Sequence, residues 1–174
     1  REAARESLRR LGGDAIGLYQ FHRPDPAVPY ADSMGAVRAL LDDGIIRMAG
    51  ISNVTVEQIA VADEILGGKL VSVQNEFSPK FRSSEGELDY CAAHETAFLP
   101  WSPLGGISRA GGVGNDHAAI AAVADELGVS PQQVTLAWEL ALQHSVIPIP
   151  GASRPESIRD SALAADLVLT ESQI

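Results

Sequence analysis

Residues 45–78, IIRMAGISNVTVEQIAVADEILGGKLVSVQNEFS, contain a whole strand–helix–strand repeat. Its flanking runs, Ile45–Ser52 (IIRMAGIS) and Leu70–Ser78 (LVSVQNEFS), are nearly continuous in apolar residues rather than alternating. That is the pattern of strands covered on both faces. Between them, Thr55 and Gln58 form a capping-box pattern, and Ile59, Ala62 and Leu66 make an apolar stripe at helical spacing.

The same unit recurs on either side. Apolar runs lie at Ala15–His22 (AIGLYQFH), Ala97–Pro103 (AFLPWSP) and Ser145–Gly151 (SVIPIPG), which predicts five strands in all. Met34, Val37, Leu40 and Leu41 stripe a helix that Gly44 can stop. Ile120, Val123 and Leu127 mark another, ending at Gly128, and Ser130, Pro131 and Gln133 open the next. Pro155 opens a further helix carrying Ile158, Ala162 and Ala165 on one face, and Thr170–Ile174 reads as one more helix start. Alternating strands and helices imply parallel pairing through right-handed crossovers. An open doubly wound sheet and a closed barrel both satisfy this. A (β/α)8 barrel needs eight units and about 250 residues. With five runs in 174 residues, and a first residue inside a helical pattern (REAARESLRRL), the arithmetic points to a barrel without its first three units.

Composition sets bounds on function. The formal net charge is −10, with 45% hydrophobic and 21% charged residues. This argues against nucleic acid or an anionic membrane surface as partner. No apolar run reaches the roughly 18 residues of a membrane span, and the charged start is unlike a signal peptide. A single cysteine, Cys91, leaves no internal disulfide framework and no cysteine-based zinc cluster, so the default address is the cytoplasm. Cys91 lies at helical spacing from Leu88 and reads as core. His94, His117 and His144 share no ligand spacing, and no metal is expected.

Polar residues gather at the carboxyl ends of the runs: His22; Ser52 and Asn53; Gln74, Asn75 and Glu76; Trp101 and Ser102; and Gly151–Arg154. In a parallel barrel these ends share one mouth, where active sites are assembled.

At these residues the chain resembles the aldo-keto reductase family. Ser7–Arg10 with Leu18–Pro26 (SLRR…LYQFHRPDP), Gly50–Asn53 (GISN), Val73–Asn75 (VQN), Trp101–Gly105 (WSPLG), Ser130–Trp138 (SPQQVTLAW) and Ile147–Glu156 (IPIPGASRPE) match in order and spacing. The resemblance covers the chain and implies a parallel (β/α)8 TIM barrel. Residues 1–174 would be the carboxyl-terminal portion of one barrel domain, strands 4 to 8. It also implies reduction of aldehydes or ketones, small carbonyl substrates, by hydride transfer from NADPH, using an aspartate, a tyrosine, a lysine and a histidine. Only the histidine falls within this chain, at His22, so the chain alone is expected to be inactive.

The resemblance assigns further roles. His22 would orient and polarise the carbonyl, imidazole being able to donate from one nitrogen while the other is fixed; otherwise it simply closes a strand. Ser52, Asn53 and Gln74 would hold the nicotinamide carboxamide, which needs a donor and an acceptor. Asn53 also suits a helix N-cap, a role not open to Gln74. Trp101 would stack on the nicotinamide, or be an ordinary buried tryptophan as Trp138 is expected to be. Ser102, Leu104 and Gly106 would begin the pyrophosphate loop, and Gly105–Gly114 reads as a flexible mouth loop rather than a Rossmann fingerprint. Gly151, Ser153 and Arg154 precede a helix N-terminus, a natural anion site. Arg154 would take the 2′-phosphate, with Ser153, Ser157, Asp160 and Ser161 along the adenine side. Relatives often carry a lysine near Ser153 and an asparagine at Ser161, which weakens NADP over NAD without reversing it. The alternative for Arg154 is a solvated surface arginine.

Two other readings stand beside this one. A nucleotide-binding regulatory or redox-sensing subunit would keep the cofactor residues with little turnover. A Schiff-base aldolase would need a strand-end lysine, and none of the five runs ends in one.

Overall fold

A computed structural model of the chain describes residues 1–106 and 110–174. Helix α1 (Glu2–Leu11) leads into β1 (Ile16–Phe21), and α2 (Tyr30–Asp42), β2 (Ile46–Ser52), α3 (Val56–Leu66) and β3 (Leu70–Gln74) follow. Then come α4 (Glu85–Ala93), β4 (Ala97–Phe98), α5 (Val113–Asp116), α6 (Ala118–Leu127), α7 (Pro131–Leu142) and α8 (Pro155–Leu163). The sheet runs β1-β2-β3-β4 with every pair parallel.

Four strands form among the described residues where the sequence predicts five. The fifth run, Ser145–Gly151, pairs through a single parallel bridge, Phe98 with Val146. Its backbone still follows the sheet: Phe98 N donates to Ser145 O (2.9 Å) and Ile147 N to Phe98 O (2.8 Å). Pro148 and Pro150 lack the N–H that a regular ladder needs. Pro100 and Pro103 likewise end β4 at Phe98, well short of the predicted Ala97–Pro103.

The helix ends follow the sequence closely. Thr55 Oγ1 accepts from Gln58 N while Gln58 Oε1 accepts from Thr55 N, closing the capping box of α3. Ser130 Oγ accepts from Gln133 N (3.1 Å) at the start of α7. Gly128 ends α6 in the left-handed conformation. One reading is corrected. α8 has no buried residue, and Ile158 is exposed rather than part of a packed stripe. Residues 171–173 form a turn in which Ile174 N donates to Thr170 O, as in the first turn of a helix.

The core lies on one side of the sheet. Ala49, Ile51, Val73 and Phe98 pack against Met34, Ile59, Leu66, Leu88 and Cys91, all essentially inaccessible to water. Each large apolar side chain so buried contributes about 1.5–3 kcal/mol. Phe77 meets Phe98 edge-on at 6.0 Å and stacks on half-buried Trp138 at 6.0 Å. The other side of the sheet differs from the sequence expectation of two covered faces: Leu18 and Met48 are 39% and 40% exposed there.

Candidate functional site

Parallel pairing brings the carboxyl ends of β1, β2 and β3 together, because Phe21, Ile51, Val73 and Phe98 are in register across the sheet. His22, Ser52 and Gln74 sit at or just beyond this row. Asn53 ties them together from the turn after β2. Its Nδ2 donates to His22 O (2.9 Å) and Ser52 Oγ (3.1 Å), its Oδ1 accepts from Trp101 Nε1 (3.2 Å), and its backbone N donates to Gln74 O (3.1 Å). Its φ of 58° is left-handed, a conformation asparagine tolerates better than most residues. Ser52, buried, donates from Oγ to Gln74 O (2.5 Å).

The five residues His22, Ser52, Asn53, Gln74 and Trp101 are thus gathered on one rim. Asn53 is not the N-cap of α3; Thr55 is. Among the described residues the His22 ring and the Gln74 amide have no hydrogen-bond partner, and His22 is exposed. Trp101 is half-buried, its indole edge anchored by Asn53.

Sequence reasoning assigned no role to Asn75, which holds the turn from beneath. It is 5% exposed; its Oδ1 accepts from Val54 N (3.1 Å) and its Nδ2 donates to Val54 O (2.8 Å). The signal available was its place directly after Gln74 at a strand end.

A second region adjoins Trp101. Ser102, Leu104, Gly106 and Gly151 line a cleft of about 170 Å³. Ser102 and Gly106 have φ values of 55° and 99°, and at 99° only glycine is unstrained. Leu104 and Gly151 are shared with a larger open groove of about 750 Å³, lined also by Ser153, Arg154, Ser157, Asp160 and Ser161. Arg154 is the N-cap of α8, where no side chain caps the free amides and Pro155 takes the first turn. The Asp160 carboxylate lines this groove yet is held by α7, accepting from Ser130 Oγ (2.6 Å) and Gln133 Nε2 (2.5 Å). Glu156 lies on the same wall, an acidic neighbour of Arg154 that sequence reasoning did not weigh. The glycine-rich stretch is partly helical, with a 3-10 turn at Ala110–Gly112 and α5 after it; residues 107–109 lie outside the described residues.

Ionisable groups away from the rim are shifted by burial. Cys91 is pushed up to about 12 by desolvation and by Glu87, which makes its thiol unreactive. Glu139, in α7, is raised to about 9 by burial, with neither carboxyl oxygen hydrogen-bonded. Among the described residues no group of three or more His, Cys, Asp or Glu side chains is placed to hold a metal. None of their helices is long and apolar enough to cross a membrane.

Parallel strands with polar side chains converging past their carboxyl ends, next to an uncapped helix N-terminus, define a parallel β/α protein of barrel type with a candidate site at the strand mouths. The model of the aldo/keto reductase family matches residues 1–174, and the chain belongs to that family. It is 37% identical over 164 residues to an uncharacterized oxidoreductase of Schizosaccharomyces pombe, covering 94% of this chain and 52% of that protein. It is also 37% identical over 175 residues to a 6-dehydroglucose reductase of Novosphingobium aromaticivorans, covering 94% and 56%. The crystal structure of an aldo/keto reductase from Klebsiella pneumoniae in complex with NADP and acetate superposes with a TM-score of 0.83 at 28% identity, over 99% of this chain and 61% of that one. The chain therefore spans little more than half the length of these relatives.

Proposed function

We propose that residues 1–174 are the carboxyl-terminal portion of a (β/α)8 barrel, its strands 4 to 8, and that the whole protein reduces aldehyde or ketone carbonyls with NADPH. In support, β1 pairs only with β2 and the Val146 run only with residues 98–100 among the described residues. The arc thus has two open edges, and an eight-stranded barrel closes them with further strands.

The residues present fit a nicotinamide dinucleotide. The free amides of α8 and the Arg154 guanidinium face a groove of about 750 Å³, a setting that favours phosphate. Gly106 and Gly151 let backbone approach closely in the cleft between this groove and the rim. Bound there, NADPH supplies the hydride. The Gln74 amide, free of other partners, offers both a donor and an acceptor to the carboxamide. Asn53 Oδ1 retains a lone pair beyond that taken by Trp101. Anchored at its edge, the Trp101 indole presents a face for stacking and keeps water from one side of the ring. The unpartnered His22 imidazole donates to the substrate carbonyl oxygen and orients it. On this reading the tyrosine, lysine and aspartate that the resemblance implies would lie outside residues 1–174.

One observation carries this reading: Asn53 links His22, Ser52, Gln74 and Trp101 through hydrogen bonds of 2.9 to 3.2 Å. The test is titration of the full-length protein with NADPH and NADH while following tryptophan fluorescence. Quenching that is lost in Trp101→Phe, and tighter for NADPH, is expected. A folded full-length protein quenched by neither nucleotide overturns the cofactor assignment, and quenching without NADPH oxidation on any aldehyde favours a nucleotide-sensing subunit.

A further inference from the structure

Two helices of this chain open on the same sequence signal and use it differently. At α3, Gln58 turns back so that its Oε1 accepts from Thr55 N. At α7 the matching residue, Gln133, closes no such box. Its Nε2 leaves the helix and donates to Asp160 Oδ1 on α8, while Ser130 Oγ donates to Asp160 Oδ2. A carboxylate only accepts, so the Gln133 amide is fixed with its nitrogen toward Asp160. With Gln133 only 8% exposed, the tie is made largely out of water. These two are the only side-chain hydrogen bonds joining α8 to the rest of the chain among the described residues. The helix buries no residue of its own. Beyond its carboxyl end, Ala164 is buried in a cluster with Leu104, Val113 and Leu136. The other end, which carries Arg154 and the free amides, depends on Asp160.

The neighbouring glutamine serves another side of the groove. Gln132 Nε2 donates to Ala110 O (2.7 Å), and Ala110, Gly111 and Gln132 all line the groove. A carbonyl oxygen also only accepts, which fixes this amide as well. Successive helical residues point about 100° apart, so one turn reaches two separate elements. We propose that the first turn of α7 sets the spacing of the groove's two sides. Ser130 and Gln133 hold α8 through Asp160, Gln132 holds the segment at Ala110, and all four are positioning residues. Asp160 then belongs to the frame of the groove rather than to the adenine contacts that the resemblance gives it. This rests on the reading of the groove as a dinucleotide site. Sides ordered in advance spare the ligand the cost of ordering them.

The experiment is calorimetric titration of the full-length protein with NADPH and with its analogue carrying hypoxanthine in place of adenine, which lacks the 6-amino group. Asp160→Ala, Gln133→Leu and Gln132→Leu should each weaken both ligands by the same factor, roughly fivefold. Asp160→Ala combined with Gln133→Leu should lose no more than either alone, because both break one tie. Adding Gln132→Leu should multiply the loss, because that tie is separate. Urea unfolding checks that each variant is folded. Asp160→Asn, which keeps the shape and one acceptor oxygen, covers the case of a variant that is not, and should show a smaller loss of the same kind. An adenine preference that Asp160→Ala erases and Gln133→Leu retains makes Asp160 a base ligand and overturns the proposal. Unchanged affinity in the folded variants, with NADPH bound by wild type, also overturns it. A wild-type protein that binds neither ligand overturns the nucleotide reading of the groove itself.

Discussion

The rim at His22, Asn53 and Trp101 and the groove at α8 are built on opposite principles. At the rim, the Asn53 amide bonds the His22 backbone carbonyl and the Trp101 indole, and Asn75 pins the turn from a buried position. The turn and the Trp101 edge are thus fixed before any ligand arrives, while the His22 ring and the Gln74 amide have no partner among the described residues. In the groove, Gly151–Glu156 are exposed and α8 buries no residue. What that region offers is a guanidinium, free amides and room, which suffices to hold phosphate without fixing a reacting atom. On the proposed reading, the anchored turn lies where bonds would change and the exposed guanidinium where a ligand would only be held.

The largest expected effect tests the shoulder beneath the groove. α7 receives Asp160 at its start and carries Glu139 near its end. The folded-state pKa of Glu139 is about 9 against an ordinary 4.5, so the folded chain retains a proton that the unfolded chain releases. Its contribution is therefore intact below about pH 4.5 and is lost progressively as pH rises towards 9. Urea unfolding should show stability falling by a few kcal/mol between pH 5 and 9, and Glu139→Gln should flatten most of that slope. Equal slopes for both proteins would mean that the carboxyl finds a partner.

Of intermediate size is the effect of removing the rim's central amide. Asn53→Ala loses the contacts to His22, Ser52 and Trp101 and strains a left-handed backbone. A cost of about 2 kcal/mol in stability and at least a tenfold weaker quench by either nucleotide are expected. Asn53→Gly should recover the stability lost to backbone strain but not the binding, which separates geometry from folding.

The smallest effect on stability belongs to Arg154→Ala. Exposed and outside any core cluster, Arg154 should change stability by no more than about 0.5 kcal/mol. NADPH affinity should nevertheless fall about tenfold, or 1.4 kcal/mol, and NADH affinity hardly at all. Matching losses for both nucleotides would place Arg154 on the pyrophosphate rather than on the 2′-phosphate. Glu156→Gln should then tighten NADPH, since the acidic neighbour on the same wall opposes an anionic ligand.

Local signals in this chain were readable because they depend on near neighbours. The capping box at Thr55 and Gln58, the Ser130 cap and the Gly128 stop are each satisfied within a few residues of backbone. Apolar content alone predicts a regular strand in the fifth run, but Pro148 and Pro150 lack the N–H groups of a ladder and a single bridge forms. Asp160 was legible as polar and near the groove, but its partners, Ser130 and Gln133, lie 30 and 27 residues away. Gln132 went unremarked for a similar reason: its partner, the Ala110 carbonyl, lies 22 residues away.

Alternation of apolar runs with capped helices, and the placing of His22, Ser52, Gln74 and Trp101 near the carboxyl ends of those runs, were determined by the sequence alone, since covalent spacing and backbone chemistry govern both. Only the tertiary structure decided that Asn53 spends its amide joining these residues, that Asp160 faces α7, and that Gln132 ties the turn at Ala110 to the same helix. Each is a contact across strands or helices, where strand register and helix packing determine which atoms meet.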